Sequence, residues 1–462
     1  MMLPTIESRS GHQKRPERTI LHGLLSDNME SLPFDLSDYR GRQVGFLQQI
    51  PDDSLLILPT NPVMARSNDT NFPFRADSYM LYLCGWDSPD AVFIAYKADE
   101  SWKTSLLVRP ADQKAEIWEG RRVGVEGATS GWPVDIAHSI DEMEGILKDL
   151  MHDRSAIYTI PGKNAIIDEM ISSCTLPVSD PRPILDKMRM LKSPAEAKIM
   201  QECANIASSA HIEGMRHAFP GIGEWHLQSI LEGHFTRNNS QWAYQSIVGG
   251  GDNATILHYN SNNSIVMDGE LVLIDAGCEV NGYASDITRT WPVNGSFSNT
   301  QRSVYELVLT AQKAGINACT AGSPWISMHK ATSEVLAAGL IELGIIDCSI
   351  DDALGEDLDG IYRRFFMHGT GHLLGLDVHD VGGGRQGDSE PGPILRPGMV
   401  VTVEPGLYFG SWWGEIDVPE EFLGLGVRIE DNILITESDP IVLTSDCPKE
   451  ISDLEEIVGS MG

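Results

Sequence analysis

Short apolar runs recur from Val44 onward: SLLILPT at 54–60, AVFIAYK at 91–97 and SLLVRP at 105–110. Each is too short for a helix and bounded by polar or proline residues, as buried strands are. IDEMEGILKDLM at 140–151 spaces its apolar residues at helical intervals and lies among them. Strands mixed with helices predict an α/β domain that ends near Pro181. The pattern then changes. Ser193-Pro194-Ala195-Glu196 is a capping box with proline at the first helical position, and apolar residues at helical spacing follow it. Beyond it the spacing predicts helices over 195–217, 224–238, 301–320 and 326–344, alternating with β-rich segments at 244–291, 364–380 and 398–438. The chain thus divides into an irregular tail (1–33), an amino-terminal α/β domain (34–190) and a carboxy-terminal domain (191–462). VGGGDNA and VGGGRQG lack the Lys-Ser/Thr of a phosphate loop and read as turns.

The polar positions inside the apolar runs carry the chemistry. In LVLIDAGCEVNGYASDITRT (271–290), Asp275 closes a run that reads as fully buried, and Asp286 follows eleven residues later. A buried carboxylate costs several kcal/mol unless something charged meets it. Asn281-Gly282 is a strong hairpin signal. A turn there sets Val280 opposite Tyr283 and Asp286 opposite Gly277, so the two acids become diagonal neighbours with backbones roughly 7–8 Å apart. Such a pair raises each other's pKa unless a cation lies between them; two strand-end aspartates in water are the alternative. The anomaly repeats. GMVVTVEPGLYF (398–409) ends a strand in Glu404, and GVRIEDNILIT (426–436) holds Glu430, with Arg428 on the same face. FFMHGTGHLLGLDVHDVG (365–382) sets His368, His372 and His379 among apolar residues. The two β-rich blocks, each with paired acids, suggest a duplicated plan. Four oxygen donors and an imidazole suit manganese foremost, with zinc or cobalt as alternatives. Four carboxylates exceed the charge of one divalent ion, which points to two.

Composition narrows the class. At 462 residues the chain exceeds one ordinary core. Its 42% hydrophobic and 22% charged content is that of a globular protein. No apolar stretch reaches the ~18 residues of a membrane helix, and the first twenty residues contain no apolar signal core. That stretch is basic and poor in acids, a feature that an organellar transit segment and an irregular extension share. A net charge of −32 argues against nucleic acid or an anionic membrane as partner. Seven scattered cysteines with no CxxC pair suggest reduced thiols in a cytoplasm-like compartment.

At these residues the chain resembles the proline-specific metallopeptidases of the pita-bread fold, and among them the Xaa-Pro aminopeptidase (aminopeptidase P) family. The order Asp, Asp, His, Glu, Glu matches, as do HGTGHLLGLDVHDVG, VEPGLY, VRIEDN and ILHYNSNN. RSNDTNFPFRADSYMLYLCGW (66–86) and AEIWEGRR (115–122) resemble the amino-terminal part of that family, and the resemblance runs from about residue 35 to the carboxy terminus. It implies Asp275, Asp286, His372, Glu404 and Glu430 as ligands of two Mn²⁺ ions. It implies release of the residue ahead of a second-position proline through attack by a metal-bridging hydroxide. Glu404 would move the proton, and His379 and His258 would hydrogen-bond the carbonyl and the intermediate. His368 and Arg428 would shape the proline pocket and Tyr408 would lend a hydroxyl; for Arg428, a structural salt bridge to a site carboxylate stands equally. The resemblance further implies a homodimer or homotetramer in which the amino-terminal domain roofs a neighbour's pocket. Trp86, Trp102, Trp412 and Trp413 suit either an interface or a local core. A prolidase acting on Xaa-Pro dipeptides shares the ligand set. A methionine aminopeptidase has no need of the domain before Ser193, and a non-catalytic binding module has no need of five intact ligands.

Overall fold

The computed structural model describes residues 32–383, 392–414 and 418–461. The expected tail therefore lies almost wholly outside the described residues, as does most of VGGGRQG. In the amino-terminal part a mixed six-stranded sheet runs in the order Ile136–Ser139, Ser101–Val108, Val92–Ala98, Ser54–Pro59, Ala156–Thr159, Val178–Ser179. Ser54–Pro59 pairs antiparallel with Val92–Ala98 and parallel with Ala156–Thr159. It is buried along its whole length, which is why it reads as an unbroken apolar run. Leu56 and Leu58 pack on one face with Phe46 and Phe93, while Leu55 and Ile57 pack on the other with Met143 and Leu147. The stretch 140–151 opens as a 3₁₀ turn, Ile140–Glu142, and continues as the helix Met143–Met151.

The Ser193 hydroxyl accepts from the Glu196 N–H and the Glu196 carboxylate accepts from the Ser193 N–H, and the helix Pro194–Arg216 follows. The other helices also fall close to their expected spans: Glu224–Arg237, Asn299–Ala318 and Ile326–Glu342. With them go three three-stranded antiparallel sheets, of which one, Tyr283–Ala284, Cys278–Val280, Gln241–Trp242, carries the hairpin turn and two frame the candidate site. Of these two, one orders Ile247–Gly250, Leu271–Asp275, Thr288–Pro292, and the other Val400–Val403, Asp431–Leu434, Ile441–Val442. VGGGDNA ends the strand Ile247–Gly250 and turns through the 3₁₀ segment Gly251–Thr255.

The segment 364–380 departs from the β-rich expectation, since no strand is assigned to it and one bridge, Leu373 to Val401, marks its course. It still runs beside Val400–Val403: Thr402 and Glu404 donate N–H to the carbonyls of His372 and Thr370, and Leu374 donates to Val400. The pleat is lost because the His372 N–H goes to the Thr402 hydroxyl instead of a carbonyl. Gly371 sits so close that a Cβ would lie 2.0 Å from the Thr402 oxygen. Among the tryptophans, Trp86 is buried and Trp412 is 59% exposed, while Trp102 and Trp413 pack at the edges of cores. Among the described residues no helix is long and apolar enough to cross a membrane.

Candidate metal centre

Asn281 and Gly282 both adopt positive φ, 52° and 84°, as a tight hairpin turn requires. Val280 faces Tyr283, and the same register continues without a break to Leu271 opposite Pro292. Asp286 therefore lies across from Gly277, two pairs nearer the turn than Asp275 opposite Thr288. A Cβ on Gly277 would fall 1.8 Å from the Ser285 carbonyl oxygen, so only glycine lets the strands close here. Closure brings the Oδ1 atoms of Asp275 and Asp286 onto one hydroxyl, that of Tyr244.

The second block meets the first edge on. Glu404 follows the strand Val400–Val403, and Glu430 lies between Leu425–Arg428 and Asp431–Leu434. Glu430 donates its N–H to the Thr288 carbonyl, and its Oε2 accepts from the Thr288 hydroxyl at 2.8 Å. Asp275, Asp286, His368, His372, His379, His258, Glu404, Arg428 and Glu430 all line one cavity of ≈ 310 Å³. Ligand atoms of Asp286, His372 and Glu430 lie within 4.8 Å of one another. His372 Nδ1 is 3.0 Å from the Leu373 carbonyl, which can only accept, so Nδ1 carries the proton and Nε2 turns to the acids. Nε2 lies 3.3 Å from Asp286 Oδ2 and 3.7 Å from Glu404 Oε1.

Proton affinities show how strained this crowd is. Burial and the charge of Asp286 push Asp275 up to about 6. Burial, with both aspartates adding to it, lifts Glu404 to about 7, and burial beside the same acids holds Glu430 well above the carboxylate range. Burial opposes the charge on His372, yet its bond to Asp286 and the nearby Glu404 carry it up to about 8. For Asp286 burial is outweighed by the His372 bond, and its pKa falls. Three of four acids resist ionising together, and the imidazole takes a proton to compensate. Added positive charge at this point relieves all five groups at once, so the donor set fits divalent cations.

The remaining expected residues divide. His258 and His379 are exposed at the cavity wall, and the His379 ring stands edge-on to His372 at 4.3 Å. His368 is held neutral: burial, then the charge of Arg428, lowers it to about 3. Its Nδ1 donates to the Gly369 carbonyl, leaving Nε2 to accept from the Tyr408 hydroxyl at 2.8 Å. Tyr408 does not line this cavity. It is fully buried behind His368, and its oxygen accepts from Arg428 Nη1 at 3.0 Å. Arg428 forms the salt bridge to a site carboxylate, Nη2 to Asp275 Oδ2 at 2.7 Å, while its Nε donates to Thr288. Sequence reasoning passed over Tyr244, which sits in an irregular stretch with no pattern to flag it. It also passed over Thr288, although Thr288 shares a strand face with Asp286 and alternation could have found it.

The comparisons agree with this geometry. Residues 198–437 match the family model described as metallopeptidase family M24, and residues 39–158 match aminopeptidase P, N-terminal domain. An Xaa-Pro aminopeptidase of Haemophilus influenzae is 41% identical over 437 residues, covering 93% of this chain and 98% of its own. The solved structure of proline aminopeptidase P II from Yersinia pestis superposes with a TM-score of 0.86 at 38% identity, covering 92% and 99% of the two chains. A zinc-substituted Escherichia coli aminopeptidase P in complex with product gives 0.87 at 35% identity, covering 92% and 98%. These relatives favour the aminopeptidase reading over the prolidase one, and the chain belongs to metallopeptidase family M24, in the branch that carries the amino-terminal domain of aminopeptidase P.

Proposed function

We propose that this protein is an Xaa-Pro aminopeptidase that removes the first residue from peptides with proline in second place. Asp275, Asp286, His372, Glu404 and Glu430 hold two divalent cations, Mn²⁺ foremost. The observation that carries the reading is the Nε2 edge of His372 turned onto Asp286 and Glu404 at 3.3 and 3.7 Å, beside Glu430. Such ions, when bound, act as Lewis acids and lower the pKa of water toward neutrality. The protein's own groups do the rest. Glu404, its carboxylate open to the cavity, is placed to take a proton and return it to the departing nitrogen. His258 and His379 face the same space and donate N–H to the carbonyl as negative charge develops on it. Neutral His368 offers an uncharged wall to the proline ring, and Arg428 fixes Asp275 instead of the substrate.

A bond before proline has no amide N–H, so a peptidase that reads extended backbone loses a donor there. Recognition through the ring and the carbonyl avoids that loss. The seven cysteines are all free, including Cys203 and Cys278 with sulfurs 3.5 Å apart, which supports a reducing, cytoplasmic setting. A homodimer or homotetramer is part of the same reading, and sedimentation of the purified chain tests it. The deciding assay compares an Xaa-Pro-Xaa tripeptide with its Xaa-Pro dipeptide, before and after chelation and after Mn²⁺ is restored. Tripeptide cleavage that disappears with the metal and returns with it is expected. Turnover of the dipeptide alone identifies a prolidase, and undiminished turnover in metal-free protein removes the metal assignment.

A further inference from the structure

Two spaces meet at the acid pair. The cavity that gathers the metal ligands also holds His368, Gly369 and Arg428. A second chamber of ≈ 450 Å³ adjoins it, and Asp275, Asp286, His258 and His379 form the wall common to both. The scissile carbonyl at His258 and His379 has one residue on each side. With the proline ring against His368 in the first cavity, the residue to be released extends past the common wall into the second chamber. That chamber is lined differently. Ala243, Ile247 and Val378 give it apolar walls, and Gln245 and Asn260 stand exposed at it. Among the described residues that line it, none beyond the common wall is charged. Asn260 Nδ2 donates to Gln245 Oε1 at 2.7 Å, joining two segments 15 residues apart. The bond leaves the Gln245 amide nitrogen with both its donors and the Asn260 carbonyl with its lone pairs.

We infer that Gln245 and Asn260 are specificity-determining residues: together they select an uncharged polar side chain on the released residue, such as asparagine or threonine, over an aliphatic one of the same shape. The inference rests on the proposed function, which gives the direction in which the peptide lies. A purely apolar pocket discriminates weakly against an isostere that adds a hydroxyl, whereas a site presenting a donor and an acceptor disfavours a side chain that leaves them unpaired. Both amides are exposed, so water takes the vacated places and limits the effect. One neutral hydrogen bond in that setting corresponds to ~3- to 10-fold in rate.

Full-length protein loaded with Mn²⁺ tests this through kcat/KM for Xaa-Pro-Ala tripeptides that differ only in the first residue, in the isosteric pairs asparagine against leucine and threonine against valine. The wild type should favour the polar member of each pair by ~3- to 10-fold. Gln245→Leu and Asn260→Leu should each lose most of that preference. Gln245→Glu adds a measurement that a merely structural role does not move: cleavage of Lys-Pro-Ala relative to Leu-Pro-Ala should rise about threefold. Should a leucine variant fail to fold, Gln245→Glu decides. Parity within the isosteric pairs in wild type, or a preference that survives both leucine variants, overturns the inference. So does an equal loss for every first residue in the leucine variants, or an unchanged lysine ratio in Gln245→Glu. A wild type that cleaves no Xaa-Pro-Ala peptide removes the proposed function and this inference with it. Cleavage without these selectivities removes this inference alone.

Discussion

Tyr244→Phe isolates the one hydroxyl shared by Asp275 and Asp286. The substitution keeps the ring, so it opens no cavity and leaves the packing of the Ile247–Gly250 strand unchanged. One hydroxyl proton cannot serve two carboxylates at once, so what disappears is a single hydrogen bond to a charged acceptor, worth about 1.5–3 kcal/mol when buried. Tyr244 is only half-buried and borders a second chamber shared with His258 and His379, where water can replace part of the bond. About 2 kcal/mol then remains, equivalent to roughly 30-fold weaker cation binding. The mechanism behind the number is repulsion. Without the hydroxyl the two aspartates meet with less to separate their charges, and each binding event must first draw both into place. Calorimetric titration of chelator-stripped protein with Mn²⁺ at pH 7.5 reads the effect directly, with the melting temperature of the metal-free form as control. Turnover at saturating Mn²⁺ should stay within a few-fold of wild type. A dissociation constant unchanged within threefold refutes the claim that Tyr244 organises the acid pair.

Two further outcomes follow from residues outside the cavity. Gly277→Ala forces a methyl group onto the Ser285 carbonyl, 1.8 Å from where its Cβ must go; a loss of ~3 kcal/mol or more is expected, together with loss of bound metal. Near-wild-type melting and metal content would contradict the closure argument. His211 is fully buried, gives its Nε2 proton to the Ala276 carbonyl, and has no partner for a second proton at Nδ1. Burial lowers its pKa from 6.5 to about 4, so between those values the unfolded chain binds more protons than the folded one. Stability is full above pH 6.5 and falls as the pH drops toward 4, by ~3 kcal/mol over the whole span and about 2 kcal/mol by pH 5. Urea unfolding of metal-free wild type and His211→Gln at pH 7.5 and 5 measures it. Gln retains the donor without titrating and should show a slope shallower by that amount; parallel slopes defeat the assignment.

Much of the site could be read from the chain because its residues break local rules in a way that local packing cannot excuse. An acid at the end of LVLID, another after VVTV and a third after VRI each cost free energy in isolation. Only convergence on a common cation removes the three costs together. The hairpin register was legible for a different reason: Asn281-Gly282 specifies a turn that admits one pairing, and every residue from 271 to 292 inherits it. What stayed hidden depends on contacts with no local signature. Tyr244 comes 31 residues before Asp275, and the hydroxyl of Tyr408 turns away from the cavity because Arg428 and His368 both claim it. The segment 365–382 misled because apolar residues such as Leu374, Leu376 and Val378 alternate as a strand would, while Gly371 lets its backbone press closer to Val400–Val403 than a pleat allows.

That close approach explains why a loop, and not a strand, carries the histidines. A regular strand beside Val400–Val403 would point His372 to one face of the sheet and leave its N–H and C=O equally paired. Here the carbonyls of Thr370 and His372 stay bonded to Glu404 and Thr402, so the histidine and the glutamate move as one unit, while the His372 N–H is diverted to a side chain and the backbone turns. The turn swings the imidazole across to Asp286, which lies just ahead of the Thr288–Pro292 strand in the other block. Each block by itself holds two acids that repel. Only where the irregular segment bridges them does a nitrogen donor join the four carboxylates, and the distance between the two blocks is set by Glu430 bonding Thr288 through both its backbone and its side chain. Thr288 therefore fixes the second block to the first at the acids themselves, beside Arg289 on Asp431 and Asp286 on Asn432, a role that no pattern within either block discloses.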